Sequence, residues 1–432
     1  MTGGRRARSI IEVAERHLCT GCGVCAYLQP DTLRMVDTVA QGRRPLALVE
    51  INGRAPDTRE SLRACPGARV EHPAGLPAEH LHELGETWGP VLQMWEGWAT
   101  DPQIRYRGSS GGAATALALY CLEDAGMAGV LHTAPRDDVP YLNRTVLSTS
   151  AEELLAGSGS RYAPASPCER LDLIEGAAGR CVFIGKPCDV AAAAAAARQR
   201  PALAERLGLT IAVFCAGTPT TAGTLAAIEV AGMSPDDAAS VRYRGFGWPG
   251  LFTVTGHDGA TRELTYEQSW GDVLQKHRQW RCMVCPDHTG EFADVSVGDP
   301  WYRDIEPGDP GRSLVLARTE RGRDAVRRAM AAGRLHLVPV DADVLPRSQP
   351  NLGTTRGAVW GRVTAMAVLG LPTPRFRRVP TFAAWRALPL RDKVRSVAGT
   401  VRRIRSRRLF RRDPVRALPC SQEPGRTGDP VS

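Results

Sequence analysis

The sequence predicts an α/β protein, α+β overall, with a small cysteine-rich N-terminal module, a central α/β domain and a basic helical C-terminal tail. Three observations carry that prediction. Between residues 90 and 345 short apolar stretches alternate with alanine-rich helical ones, the pattern of strands joined through helices. Residues 1–80 are loop-rich and hold four cysteines, so something other than a large apolar core must hold them together. Residues 346–432 are punctuated by proline and then rich in arginine. At 432 residues and 43% hydrophobic content the chain has material for two or three cores and is neither collagenous nor wholly disordered. Twelve cysteines in that length are too few for a disulfide scaffold.

In order along the central segment, residues 130–132, 181–184 and 211–214 read as buried strands. Helices are expected over 113–125, 189–200 and 220–231, each starting just after Gly, Pro or Ser. The last dozen residues read as disordered, and no internal repeat is visible. The N-terminus lacks an apolar core followed by a small-residue cleavage site, and no run of about 18 apolar residues occurs. The expectation is an unprocessed cytoplasmic protein with reduced thiols, peripheral at the inner membrane surface if its tail docks there.

The chemistry is concentrated in the cysteines. Cys19-Thr-Gly-Cys22-Gly-Val-Cys25 presents three thiols at a spacing that wraps three corners of a cubane, with Gly21 and Gly23 free to curl the backbone. Cys65, followed by Pro66, supplies a fourth ligand, the habit of ferredoxins. Zinc is the competing reading, although its sites usually pair two Cys-x-x-Cys knuckles. Cys188, Cys215, Cys282 and Cys285 form a dispersed second set; two of them end predicted strands, where open sheets gather ligands. Ordinary buried thiols are the alternative for Cys188 and Cys215. Cys121 and Cys181 fall in apolar patterns and read as core, and Cys168 and Cys420 receive no ligand role.

Three loops could hold a phosphorylated cofactor. Ser109, Ser110, Gly111 and Gly112 precede a helix, so backbone amides and hydroxyls there suit a phosphate, as they equally suit plain capping. Ser160, Arg161 and Tyr162 close a second glycine loop with a guanidinium for pyrophosphate and a ring to lie against a base. Lys186 adds a cation in a third turn. No GxGxxG dinucleotide fingerprint is present.

Taken in order, these segments resemble the coenzyme F420 hydrogenase/dehydrogenase beta-subunit family, flavin iron–sulfur proteins that exchange hydride with a deazaflavin. The likeness runs from Cys19 to about Trp301. It rests on the N-terminal cysteine run with Cys65-Pro66, Ser109-Ser-Gly-Gly112, Gly159-Ser-Arg-Tyr162, Gly185-Lys-Pro-Cys188, Phe214-Cys-Ala-Gly217, Arg281-Cys-Met-Val-Cys285-Pro-Asp287 and Ala293-Asp-Val-Ser-Val-Gly-Asp299. The resemblance implies a ferredoxin-like module, a central domain binding FAD, and one or two 4Fe-4S clusters, the second held by Cys188, Cys215, Cys282 and Cys285. It makes the loops at Ser109–Gly112 and Ser160–Tyr162 FAD contacts. It implies an oxidoreductase taking electrons from a hydride carrier, reduced coenzyme F420 before others, and passing them to a redox partner protein or a substrate. A non-catalytic electron-transfer subunit and a ferredoxin-dependent reductase of a small organic molecule are the alternatives. The sequence departs from the family at Lys186, where threonine is usual, at Ala216, where histidine is common, and at Arg161, a frequent lysine. Trp248, Trp270, Trp280 and Trp301 are candidates for lining the flavin pocket, or else core residues.

The net charge of +9 has a definite address. Residues 386–416 hold twelve bases against Asp392 and Asp413, a net of +10, which leaves about −1 for the rest. Leu390, Val394, Val397, Val401 and Ile404 recur at steps of four and three, drawing an apolar stripe among the arginines. Such a helix suits an anionic membrane surface or an acidic partner, or docks on the protein's own core. Nucleic acid is disfavoured, because the body of the chain carries no basic surplus.

Overall fold

The computed structural model describes residues 4–48, 56–73 and 79–419, with the side chain of Glu86 left aside. The expectation of disorder over the last dozen residues, and Cys420, lie outside the described residues.

An eight-stranded mixed sheet organises the centre, in the order Leu335–Pro339, Gln93–Ala99, Ser313–Ala317, Val295–Gly298, Leu207–Val213, Cys181–Gly185, Gly129–Pro135, Asn143–Ser148. The four strands Val295–Gly298, Leu207–Val213, Cys181–Gly185 and Gly129–Pro135 run parallel, and antiparallel strands flank them on both sides. Parallel strands are buried on both faces, and Val182, Phe183, Leu209, Ile211 and Val295 are accordingly apolar and almost wholly inaccessible. The three strands expected from sequence are all present: Gly129–Pro135 and Leu207–Val213 are longer than their apolar runs, the latter ending one residue before the expected 214, and Cys181–Gly185 is longer by one residue.

The helices follow the predicted punctuation. Gly112, at φ 72°, ends a left-handed turn from which Ala113–Leu119 starts, with one wider turn over Tyr120–Asp124. Pro187 opens Pro187–Ala197, where a missing N–H costs nothing, and the Asp189 carboxylate accepts from the Lys186 backbone N–H at 2.9 Å. Thr221–Val230 follows the strand Leu207–Val213. A small antiparallel sheet, Ala238–Arg242, Phe252–Gly256 and Thr261–Leu264, stands beside the main one.

The two ends of the chain share one core. Ile10, Leu18, Leu33 and Met35 pack with Trp280, Val359, Val363, Met366, Leu371 and Ile404 in a single buried cluster. Strand Arg375–Arg377 pairs in parallel with Arg69–Glu71, and the Leu418 N–H donates to the Asp37 carbonyl at 2.8 Å. Residues from 359 to 418 thus pack and pair against the N-terminal module.

The C-terminal helix Leu390–Ser406 docks on Val359–Val368 by a face that takes in only the Ile404 end of the apolar stripe. Ser396, Thr400 and Ile404 are the buried residues, whereas Leu390 and Val394 are 76% and 60% exposed. The reason is steric: Gly361 lies so close to the helix that a Cβ there would sit 2.4 Å from Ser396 Oγ, and only small side chains fit the seam. Among the described residues no helix is long and apolar enough to cross a membrane.

Candidate functional site

At the carboxyl ends of the parallel strands lies a cavity of about 300 Å³, where an open α/β sheet places its ligand crevice. Strand Cys181–Gly185 delivers Lys186 to it, Leu207–Val213 delivers Phe214 and Cys215, and Val295–Gly298 delivers Asp299. Seven of the eight cofactor-binding residues expected from sequence line it: Ser109, Ser110, Gly112, Ser160, Arg161, Tyr162 and Lys186. The two glycine loops meet there, the Ser160 N–H donating to Ser109 Oγ at 2.8 Å. Gly111 is the exception. Its carbonyl accepts from the Ala99 N–H, and a Cβ there would sit 2.7 Å from Arg312 Cα, so it serves the backbone crossing behind the cavity.

Arg161 reaches the cavity wall, but its guanidinium is spent on the protein. Nε donates to Asn143 Oδ1 at 2.8 Å, Nη1 to the Val241 carbonyl at 2.7 Å, and Nη2 to the Pro140 carbonyl at 2.8 Å. These bonds fasten the loop to its neighbours. The guanidinium that governs the cavity is Arg244, which sequence reasoning missed. It makes a fork with Asp299 at 2.7 and 3.0 Å, donates to Tyr162 Oη at 3.1 Å and to the Pro249 carbonyl at 2.7 Å, and lies 5.2 and 5.4 Å from the rings of Tyr266 and Trp301. Burial opposes its charge and Asp299 outweighs that, so it stays protonated. The glycines at 245, 247 and 250, all at positive φ, were the available signal of a special turn.

Of the four tryptophans, Trp270 and Trp301 line the cavity. Trp248 stands behind Trp301 at 5.0 Å and donates to Asp299 Oδ1 at 2.8 Å. Trp280 belongs to the core shared by the two termini.

Cys215 is both cavity wall and member of the second thiol set. Burial, then Cys282, pushes its thiol up to about 12, against the pull of Lys186. Cys285 is raised to about 11 by burial, with Cys282 contributing, and Cys188 is raised by burial with Cys215 and Cys285 contributing. Cys215 and Cys285 thus each feel other thiols of the set, and the four residues are half-buried. The Thr218 N–H donates to Cys282 Sγ at 3.3 Å, and the Asp287 carboxylate accepts the N–H groups of Thr289, Gly290 and Glu291, turning the chain after Cys285. Lys186 Nζ donates to Asp189 Oδ2 at 2.6 Å; burial would lower the ammonium, but Asp189 and then Cys188 hold it up.

The N-terminal set is equally gathered. Cys19, Cys22, Cys25 and Cys65 are each 5–6% exposed. Burial raises the Cys25 thiol, and Cys19, Cys22 and Cys65 raise it further. Gly21 and Gly23 stand at φ 77° and 87°, and the Gly21 N–H donates to Cys19 Sγ at 3.3 Å. Gly23 must lack a side chain, because a Cβ would meet the Glu169 backbone N at 2.8 Å. Cys168, given no role from sequence, is fully buried, and its thiol meets that of Cys22. Arg44 feels both Cys19 and Cys282, which puts one cation between the two sets. Among the described residues no three donors stand closed at metal–ligand separations. The donor chemistry nonetheless fits iron–sulfur clusters: two groups of four soft ligands, the first buried and the second half-buried, with backbone N–H groups donating to sulfur.

Two family models match the chain, both of the coenzyme F420 hydrogenase/dehydrogenase beta subunit: its N-terminal part over residues 94–171 and its C-terminal part over residues 178–343. Coenzyme F420 hydrogenase subunit beta of Methanococcus voltae is 27% identical over 258 residues, 57% of this chain and 84% of that protein. The protein of the same name from Methanosarcina barkeri is 24% identical over 251 residues, 56% and 80% of the two chains. A chain in the solved F420-reducing [NiFe] hydrogenase complex of Methanosarcina barkeri shares the fold, with a TM-score of 0.52 at 23% identity, covering 67% of this chain and 98% of that one. The matched residues contain the second thiol set and all of the cavity lining but Gln349 and Leu352, while the N-terminal thiols and the basic tail lie outside both family models. By sequence profile and by fold the chain belongs to the coenzyme F420 hydrogenase/dehydrogenase beta-subunit family.

Proposed function

We propose that the chain is a flavin- and iron–sulfur-dependent oxidoreductase that moves electrons between a hydride carrier, coenzyme F420 in the first instance, and a redox partner protein. The observation that carries this reading is the position of Cys215, which lines the cavity while feeling the half-buried thiols of Cys188, Cys282 and Cys285. FAD in the cavity would supply hydride acceptance, and 4Fe-4S clusters on the two thiol sets would supply one-electron carriage. Ser109, Ser110, Gly112 and Ser160 would hold the cofactor's phosphates with hydroxyls and backbone amides. Arg244, fixed by Asp299, would orient the isoalloxazine among Tyr162, Trp270 and Trp301, which exclude water from it. Lys186 would set a fixed positive charge between the flavin and the nearer thiolates. Arg44 and its neighbours would offset the charge between the two sets.

Anaerobic purification followed by a visible spectrum and iron and flavin analysis tests the proposal; absence of flavin bands together with less than one cluster's iron defeats it. A second reading has specific support: the relatives are named as hydrogenase beta subunits, and the structural neighbour is one chain of a complex. On that reading the chain has no substrate of its own and relays electrons for a catalytic partner. Turnover of reduced F420 with an artificial dye by the isolated chain distinguishes the two. Contact with an anionic membrane surface through residues 386–416 is proposed for the tail, with a cytoplasmic location.

A further inference from the structure

A second cavity, of about 280 Å³, lies across the 216–220 turn from the flavin site and shares with the machinery above only Arg44, which faces both. Its wall is basic: Arg44, Lys276, Arg278 and Arg407 with the imidazoles of His17 and His277. Among the described residues no carboxylate lines it; Asp413 acts on His17 and Arg44 from outside the lining. Three parts of the chain converge to make it. Arg44 comes from the N-terminal module and its Nη2 donates to Gln279 Oε1 at 3.0 Å. Arg278 is anchored through Nε on the Gln275 carbonyl and Nη1 on the Ala216 carbonyl. Arg407 is brought by the C-terminal helix, its Nη1 donating to the Arg278 carbonyl at 3.1 Å.

Like charges gathered around a hollow are costly unless an anion joins them. Arg44 is 2% exposed, and its Nε is buried without a hydrogen-bond partner. His17 holds φ 58°, a backbone region that a non-glycine residue seldom occupies without a reason. Offsetting the neighbouring thiolates accounts for the guanidiniums of Arg44 and Arg278, both of which feel Cys282. It requires neither the hollow nor an ammonium and two imidazoles on the wall. Guanidinium forks with several further donors match a tetrahedral oxyanion bearing more than one charge. Lys276 and Arg407, both exposed, stand where such a group would enter.

We propose that this cavity binds the phosphoryl group of a phosphorylated small molecule, at a site separate from the flavin. The test is calorimetric titration of the anaerobic, cofactor-loaded full chain with inorganic pyrophosphate, with the visible spectrum followed to confirm that the cofactors stay in place. The comparison proteins carry Lys276→Gln with Arg407→Gln, or Arg407→Lys alone, which keeps the charge and loses the fork. One saturable site is expected, weakened at least about tenfold in the double variant and less in Arg407→Lys. No saturable binding up to about 10 mM, or equal binding by the double variant, overturns the proposal. Tighter binding of tricarballylate than of pyrophosphate overturns the phosphoryl assignment. Because the readout is binding, the proposal can fail while the flavin reading stands, and the reverse.

Discussion

At the scale of single residues, the cavity's chemistry rests on two cations of different legibility. Lys186 was visible in the sequence because it interrupts a recognisable Gly-x-Pro-Cys turn, and the structure places it against Asp189 and near Cys188 and Cys215. Replacing it with threonine removes a buried positive charge, so the reduction potentials of the flavin and of the nearer cluster should become more negative, by tens of millivolts in order of magnitude; a redox titration with unchanged potentials contradicts the role. Arg244 was not legible, because nothing in Tyr243-Arg-Gly-Phe-Gly-Trp says which side chain the turn buries. Arg244→Ala removes the ion pair of Asp299, leaving it only the Trp248 hydrogen bond, and in the proposed flavoprotein should weaken flavin retention by about 2–3 kcal/mol, near a hundredfold, with Arg244→Lys recovering only part. Arg161 is the converse case, since its residue type suits a phosphate while carbonyls nearby take its donors. A buried histidine sets an acid limit. Burial holds His72 at about 4, against the pull of Asp287, well below its unfolded value. The unfolded chain then binds the proton first, so stability is intact above about pH 6.5 and falls by up to about 3 kcal/mol toward pH 4. Chemical denaturation across that range should show the decline, and His72→Gln should lessen it, leaving the part due to His288, which burial likewise holds at about 4.

At the scale of elements, strands and helix starts were legible because apolar runs and proline or glycine punctuation are local signals. The facing of the last helix was not. Its apolar stripe predicted a docking face, yet the seam with Val359–Val368 is set by closeness at Gly361, which favours Ser396 and Thr400. The stripe's Leu390, Val394 and Val397 end is left outward, with Arg391, Arg395, Arg402 and Arg405 exposed on the same helix. That combination suits an anionic bilayer, where apolar side chains enter and arginines meet headgroups. The full chain should float with vesicles containing phosphatidylserine and lose that property when Leu390 and Val394 become serine; equal flotation of the two proteins removes the membrane role. The variant leaves the buried seam untouched.

At the scale of the whole molecule, the tail's net charge of +10 sits on a nearly neutral body. The tail also closes the core that the N-terminal module shares with the residues around Trp280, so module and tail should be lost together on truncation. Sequence separated these segments by composition; only the folded chain could show that they share side chains, since that packing is non-local. The cysteines were legible in type and spacing, and their meeting was not, because Cys188, Cys215 and the 282–285 pair come from three parts of the fold. The central claim is that both thiol sets carry clusters beside a flavin. Iron and flavin analysis of the anaerobically purified chain and of Cys282→Ser tests it most directly. About eight irons and one flavin are predicted for the native chain, with about four irons remaining and flavin retained in the variant. Iron content unaffected by the substitution, or a native chain without flavin, contradicts it.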